Sequence, residues 1–323
     1  MTDICGGGGV QKKTGHKETG MSARSKHEAG CVLLPTDFQQ PARRAFSYGI
    51  ALTRLLGARM EILHVIKTPS DRSGTPTDSR YLKSLKTSAL HDLARLARIA
   101  KEAGAQAEPC LQYGVPDACI LQHANKAQVE VIVMGTEGRA GWDRLRLGST
   151  AHTVFSQAPC PVLAVHGGLA GDVVRHLARV RLERLLVATD FSPCADQALQ
   201  AVSVLARLTQ AKVCVVHVAG KDATKKDGQR KLNVLIEELR RQELAVEGVC
   251  IPGEPIESIL HQAAEWEADM VAVGTQGRRG LSRLVLGSVA EGVLRRAGCP
   301  VLEVKNASPL VCAGDRHGRR RTS

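Results

Sequence analysis

The chain is written twice. Val32-Leu33-Leu34-Pro35-Thr36-Asp37 returns as Leu185-Leu186-Val187-Ala188-Thr189-Asp190, and His64-Val65 returns as His217-Val218, both at an offset of 153 residues. From Gly253, the counterpart of Gly114, the offset is 139, and it holds through Gly274, Gly287 and Cys299-Pro300-Val301. The second copy is therefore fourteen residues shorter between its second strand and that glycine turn. The loop carrying Gly74 and Pro76 is where the difference is expected. A period of this size is the size of a whole domain, so two similar domains in tandem are expected.

Each copy alternates short apolar runs with helical periodicity. In the first, strands are expected at 31–37, 60–65, 107–112, 129–134 and 161–165, with helices between them. The order β-α-β-α-β-α-β-α-β predicts an α/β fold, with a doubly wound five-stranded parallel sheet and helices on both faces. The expected strand order is 3-2-1-4-5. Aromatic residues make up only 3% of the chain, so the cores must be Val, Leu, Ile and Ala, as a sheet buried on both faces requires. The same scarcity argues against a stacking platform for single-stranded nucleic acid. The expected boundaries are a disordered tail at 1–28, one nucleotide-binding domain at 29–166 and a linker with a short helix at 167–183. A second such domain spans 184–306 and a basic tail 307–323.

The formal charge of +12 is concentrated outside the repeats. Residues 1–30 hold 5 Lys/Arg against 3 Asp/Glu, residues 166–184 hold 4 against 2, and residues 306–323 hold 4 against 1. That placement points to solvated tails rather than specific nucleic-acid recognition. The ten cysteines show no C-x-x-C pair, and Cys31, Cys214 and Cys250 sit in apolar runs, as reduced core thiols do. No apolar run approaches the ~18 residues of a membrane span, and the start of the chain has no hydrophobic signal region. A cytoplasmic protein is expected.

Function concentrates in a duplicated glycine arch. Gly135-Thr136-Glu137-Gly138, nine residues, then Gly148-Ser149 is matched by Gly274-Thr275-Gln276-Gly277, nine residues, then Gly287-Ser288. Each arch runs from an apolar strand to a helix. Glycines there let backbone N–H groups approach a phosphate, and the helix start adds donors and the positive end of its dipole. A plain turn uses glycine too, but two copies with identical spacing favour phosphate binding. In a doubly wound sheet of this order, ligands sit at the carboxyl ends of strands one and four. That brings Asp37 beside Gly135, and Asp190 beside Gly274. Either carboxylate can accept hydrogen bonds from a ribose or base; the alternative is a cap on the following helix.

Thr-Asp-Phe after an apolar strand, G-x2-G-x9-G-S, and a closing Cys-Pro-Val strand together resemble the universal stress protein family in its tandem form, over about 29–166 and 184–306. The resemblance implies binding of ATP, or of an adenine nucleotide more generally. It would place adenosine against Pro35, Thr36, Asp37 and Val65 in the first half and Ala188, Thr189, Asp190 and Val218 in the second. Phosphates would fall to Gly135, Gly138, Gly148, Ser149 and Thr150, and to Gly274, Gly277, Gly287, Ser288 and Val289. It also implies an intramolecular pseudo-dimer through 161–165 and 300–305, or a homodimer, and a regulatory protein partner. Where the family often has a neutral polar residue before the second glycine, this chain has Glu137 and Gln276. A carboxylate facing a triphosphate opposes binding, so the second site is expected to be the tighter. Arg139, Arg144 and Arg146 can offset Glu137.

No Walker lysine precedes Gly148-Ser149 or Gly287-Ser288, and no G-x-S-x-G or H-E-x-x-H motif is present. His64 and His217 read as satisfied residues of a buried strand. No catalytic residue and no protein-built metal site is expected; Mg²⁺ would come with the phosphates. The expectation is a nucleotide-binding stress-response sensor. The alternatives are a slow ATPase or phosphotransferase using Glu137, or an interaction scaffold that binds no nucleotide.

Overall fold

The computed structural model describes residues 30–67, 79–136, 147–166, 180–219, 224–275, 286–305 and 310. The tails and most of the expected linker lie outside them; residues 180–183 form neither helix nor strand.

The first half runs β1 (Cys31–Pro35), α1 (Gln40–Leu56), β2 (Arg59–Lys67), α2 (Ser79–Glu102), β3 (Ala107–Gly114), α3 (Pro116–Lys126), β4 (Val129–Gly135), α4 (Ser149–Gln157) and β5 (Val162–Val165). The second runs β6 (Arg184–Ala188), α5 (Pro193–Thr209), β7 (Lys212–Ala219), α6 (Thr224–Arg241), β8 (Val246–Pro252), α7 (Pro255–Glu265), β9 (Met270–Gly274), α8 (Ser288–Arg296) and β10 (Val301–Val304). β1, β5 and β10 are buried along their whole length, which is why β1 and β5 read as unbroken apolar runs rather than alternating ones. Within each half the strands are parallel and stand in the expected order 3-2-1-4-5.

The two sheets are one. β10 pairs antiparallel with β5, Val301 facing Ala164, Leu302 facing Leu163 and Glu303 facing Val162. The result is a ten-stranded sheet in the order β3-β2-β1-β4-β5-β10-β9-β6-β7-β8. Pairing of the last strands satisfies the backbone groups that either half alone would leave on an open edge. One core lies under α1, α2, α5 and α6, built on Phe46, Leu93, Leu205 and Leu232. The other lies under α3, α4, α7 and α8, built on Ile120, Phe155, Ile259 and Val293. Outside the sheet, His166 Nε2 reaches across to the second half, 2.6 Å from the Leu294 carbonyl, while its own carbonyl accepts from Arg44 Nη1 at 3.1 Å within the first half.

The fourteen extra residues of the first half do not all fall in a loop. α2 has 24 residues and α6 has 18, so part of the difference is additional helix. The buried positions Leu93, Ala97 and Ala100 of α2 answer Leu232, Ile236 and Leu239 of α6 at the offset of 139. Among the described residues no helix is long and apolar enough to cross a membrane. The eight described cysteines are free, and Cys31, Cys160, Cys194 and Cys214 are buried.

One polar network belongs to the first half alone. Glu61 on β2 pairs with His123 of α3 and with Arg59 at 2.8 Å, and His123 Nδ1 lies 2.9 Å from Gln112 Nε2. Cys214 stands at the corresponding place in the second half. The His123 hydrogen bond, helped by Arg59 and opposed by burial, holds the Glu61 carboxyl below its usual 4.5. A depressed carboxyl stabilises the fold above its unfolded pKa, and that contribution is lost as pH falls through the folded value. Glu61→Gln is therefore expected to cost about 1–3 kcal/mol at pH 7 and much less at pH 3. Urea melts at the two pH values check this; an equal loss at both contradicts it.

Candidate functional site

In both halves the turn after the first strand is built the same way. The Thr36 amide donates to the Leu63 carbonyl at 2.9 Å and the Thr189 amide to Val216 at 2.8 Å, adding one rung to the ladder beyond each strand. The threonine hydroxyl then accepts the amide of the phenylalanine two residues on, Phe38 or Phe191, at 3.0 Å in each case. The aspartate accepts the next amide through Oδ1, that of Gln39 or Ser192, again at 3.0 Å. These two local bonds hold the phenylalanines in the left-handed region, with φ 65° at Phe38 and 60° at Phe191. That conformation is rare for a bulky side chain and persists only where the surroundings enforce it.

The enforcement comes from the second strand. His64 Nδ1 lies 2.8 Å from the Thr36 carbonyl, and His217 Nδ1 lies 2.8 Å from the Thr189 carbonyl. Each imidazole also packs at a tilt against the phenylalanine of its own turn, with centroids 4.4 Å apart and planes at 32° for Phe38–His64, and 4.6 Å and 43° for Phe191–His217. Each aspartate thus closes a local turn onto the N-cap residue of the following helix and is not itself that helix's N-cap, which is Gln39 for α1 and Ser192 for α5.

The glycine arches close in matching fashion. The Thr136 amide donates to Val165 at 3.3 Å and the Gly148 amide to Thr136 at 3.0 Å; Thr275 donates to Val304 at 3.0 Å and Gly287 to Thr275 at 2.9 Å. Gly148 and Gly287 are extended N-cap residues, and among the described residues no side chain caps the first amides of α4 or α8. By contrast Ser192 Oγ caps α5 by accepting the Ala195 amide at 3.3 Å. A helix start without a side-chain cap has N–H donors to offer an anion. A Cβ at Gly287 would lie 2.5 Å from the Thr275 carbonyl oxygen, so only glycine fits where the arch folds back.

The two features meet at the point where strand order reverses. β1 lies beside β4, with Leu33 opposite Ile132, and β6 lies beside β9, with Val187 opposite Ala272. Asp37 and Gly135, and likewise Asp190 and Gly274, therefore follow the ends of neighbouring strands. The second half shows the contact directly. A Cβ on Gly274 would lie 2.7 Å from the Cys194 carbonyl carbon and 2.8 Å from the Ala195 nitrogen, so the end of β9 presses on the first turn of α5. Val65, Ala188, Val218 and Val289 are half-buried against the α3/α4/α7/α8 core. On the exposed ends, Ser149 and Ser288 open their helices beside half-buried Thr150 and Val289. Pro35 is buried as the last residue of β1. Gly138 and Gly277 lie outside the described residues, as do Glu137, Gln276, Arg139, Arg144 and Arg146.

Sequence reasoning missed one electrostatic difference. Asp196 on α5 is pushed up first by burial and second by the charge of Asp190. At the offset of 153 its counterpart is Arg43. The second crevice thus has a second carboxylate close to Asp190. A cavity of about 60 Å³ also opens beside the first turn, lined by Thr36, Phe38, Arg43, Asp92, Arg95 and Leu96 among others. It contains neither Val65 nor a glycine of the arch, so it is separate from the crevice between the strand ends.

Comparison with known proteins identifies the family. The sequence signature of the universal stress protein family matches residues 31–166 and again residues 181–305. A universal stress protein of Mycobacterium tuberculosis is 28% identical over 234 residues, 67% of this chain and 76% of that one. One from Methanocaldococcus jannaschii is 30% identical over 137 residues, 42% of this chain and 80% of that one. The crystal structure of a universal stress protein from Archaeoglobus fulgidus superposes with a TM-score of 0.71 at 24% identity, covering 87% of this chain and all of that one. Two family matches in succession, spread over most of the chain and both set in one continuous sheet, make this protein a tandem member of the universal stress protein family.

Proposed function

We propose that the protein is a regulatory nucleotide-binding protein that takes ATP in each of its two crevices and changes its contacts with a protein partner according to occupancy. The observation that carries this reading is the duplicated juxtaposition at the strand ends. A carboxylate turn locked by a histidine stands beside a glycine arch that runs into a helix start without a side-chain cap. The adenosine end would lie toward Asp37 and Val65, or Asp190 and Val218. The phosphates would lie toward Gly135, Gly148, Ser149 and Thr150, or Gly274, Gly287, Ser288 and Val289, with Gly138 and Gly277 completing the arches. Phosphate oxygens suit backbone amides and a serine hydroxyl at a helix N-terminus, and Mg²⁺ would be held chiefly through the phosphates. Among the described residues no cluster of His, Cys, Asp and Glu is arranged to hold a metal ion. The test is mass spectrometry of ligand released by denaturing freshly purified protein. ATP or ADP at one to two equivalents per chain is expected. A nucleotide-free protein that also fails to take up added MgATP contradicts the proposal.

A further inference from the structure

The geometry points to His64 and His217 as the positioning residues of the two crevices: each imidazole sets the carbonyl before the aspartate and so fixes where that carboxylate stands. The inference rests on the nucleotide reading above and assigns a role to two residues that sequence reasoning placed among the satisfied core. Four observations coincide in each half. The ring nitrogen Nδ1 is 2.8 Å from the threonine carbonyl. The ring packs at a tilt against the phenylalanine that follows the aspartate. That phenylalanine holds a positive φ. The strand carrying the histidine also accepts the threonine amide, through Leu63 or Val216.

The threonine before each aspartate is therefore gripped at its N–H by the backbone of the second strand and at its C=O by the imidazole. The aspartate follows directly, with its Oδ1 accepting the amide two residues on. A carbonyl can only accept, so Nδ1 must carry the proton, which defines the tautomer at both sites. The alternation of a strand puts His64 on the α1/α2 side with Ile62, and Val65 on the other side with Leu63. The histidine thus acts through the turn and does not line the adenosine side of the crevice itself.

The second half shows what this arrangement demands of its surroundings. Gly228 of α6 lies against the far edge of the His217 ring. A Cβ there would lie 2.7 Å from both Cδ2 and Nε2. Gly228 stands within α6, where glycine is unfavourable relative to alanine. At the offset of 139 the first half has Ala89. With the ring held on one side by a carbonyl and on another by Phe191, it has little room to yield. We infer that the missing Cβ at Gly228 lets α6 close on His217 without displacing the Asp190 turn.

The test uses the full chain carrying Asp37→Ala, so that only the second crevice reports, and titrates MgATP by calorimetry. His217→Phe keeps the ring packing and loses the donor. His217→Asn loses the ring packing but places an amide nitrogen near the position of Nδ1. Loss of one positioning hydrogen bond is expected to weaken binding about five- to tenfold in His217→Phe, with recovery in His217→Asn. In the absence of Asp190, His217→Phe should add nothing further. Gly228→Ala should weaken binding by about threefold or more, although alanine is the better helix former. Full affinity in His217→Phe, no recovery in His217→Asn, or additive losses with Asp190→Ala each overturn the inference.

If the parent chain takes up no MgATP, the nucleotide reading fails by itself, and nitrogen NMR of the imidazoles still decides the positioning claim. Protonated Nδ1 at both histidines, with displaced Phe191 and Ser192 amide signals in His217→Phe, supports it. Protonation at Nε2 alone contradicts it.

Discussion

Asp190→Ala is expected to weaken MgATP binding at the second crevice by about 10- to 100-fold, the range for losing a charge-assisted hydrogen bond to a bound group. Two separate losses contribute. The carboxylate no longer accepts from the ligand, and Oδ1 no longer accepts the Ser192 amide at 3.0 Å, which shapes the turn into α5. Asp190→Asn separates them, because an amide oxygen keeps the turn bond and gives up the charge. An Asn variant that binds like the parent would restrict Asp190 to its role in the turn.

Asp37→Ala is expected to lose less, because the first crevice starts weaker. Its arch carries Glu137 where the second carries Gln276, and a carboxylate near a triphosphate opposes binding. Asp196 works against that ranking, since it adds a second carboxylate beside Asp190 where the first half has Arg43. Glu137 sits inside the arch itself and Asp196 on the flanking helix, so the arch residue is expected to dominate. A larger loss from Asp37→Ala than from Asp190→Ala overturns the ranking.

The second large effect is expected at the seam between the halves. Glu303 lies in the middle of β10, only 2% exposed, and among the described residues neither carboxylate oxygen has a hydrogen-bond partner; Lys305 Nζ is also buried without one there. Burial pushes the Glu303 carboxyl up to about 8, with Lys305 pulling the other way. Burial likewise lowers the Lys305 ammonium, with Glu303 opposing.

The pH signs follow. Below 4.5 the Glu303 carboxyl is neutral in the folded and unfolded chain alike. Between 4.5 and about 8 the unfolded chain ionises while the buried carboxyl keeps its proton, so stability falls across that window and levels off above it. Lys305 acts in the opposite sense toward 10.5. No ion pair joins Glu303 and Lys305 among the described residues, so each is a buried polar group without a hydrogen-bonded partner there. Glu303→Met and Lys305→Met are therefore each expected to stabilise at pH 7, by about 1–3 kcal/mol, and the double variant to be the most stable. Denaturant melts of all four proteins check this, and destabilisation by either single substitution contradicts it.

The two lessons have different origins. The repeat and the parallel order of each half were legible because a strand buried on both faces leaves an unbroken apolar run. The offset then repeats that evidence. The joining of the last strands, by contrast, followed only from the family resemblance. The glycine arches were legible because their spacing is kept while most of the intervening residues change.

The left-handed conformation at Phe38 and Phe191 was not legible. Sequence flags such conformations through glycine or asparagine, whereas here they are enforced by contacts with His64 and His217, distant in the chain. Glu303 was not legible either. In Val301-Leu302-Glu303-Val304 it reads as the outward residue of an alternating strand, and only the pairing with β5 shows that both faces are buried. The surplus in α2 was assigned to a loop because Gly74 and Pro76 mark one. Additional turns of an amphipathic helix carry no comparable punctuation.

Native mass spectrometry with MgATP tests the central claim most directly, that each half supplies its own carboxylate and arch to a separate site. The full chain should carry two nucleotides, the Asp190→Ala chain one at the same free concentration, and the chain lacking both Asp37 and Asp190 none. A parent chain that holds no nucleotide, or a doubly substituted chain that still holds two, would contradict it.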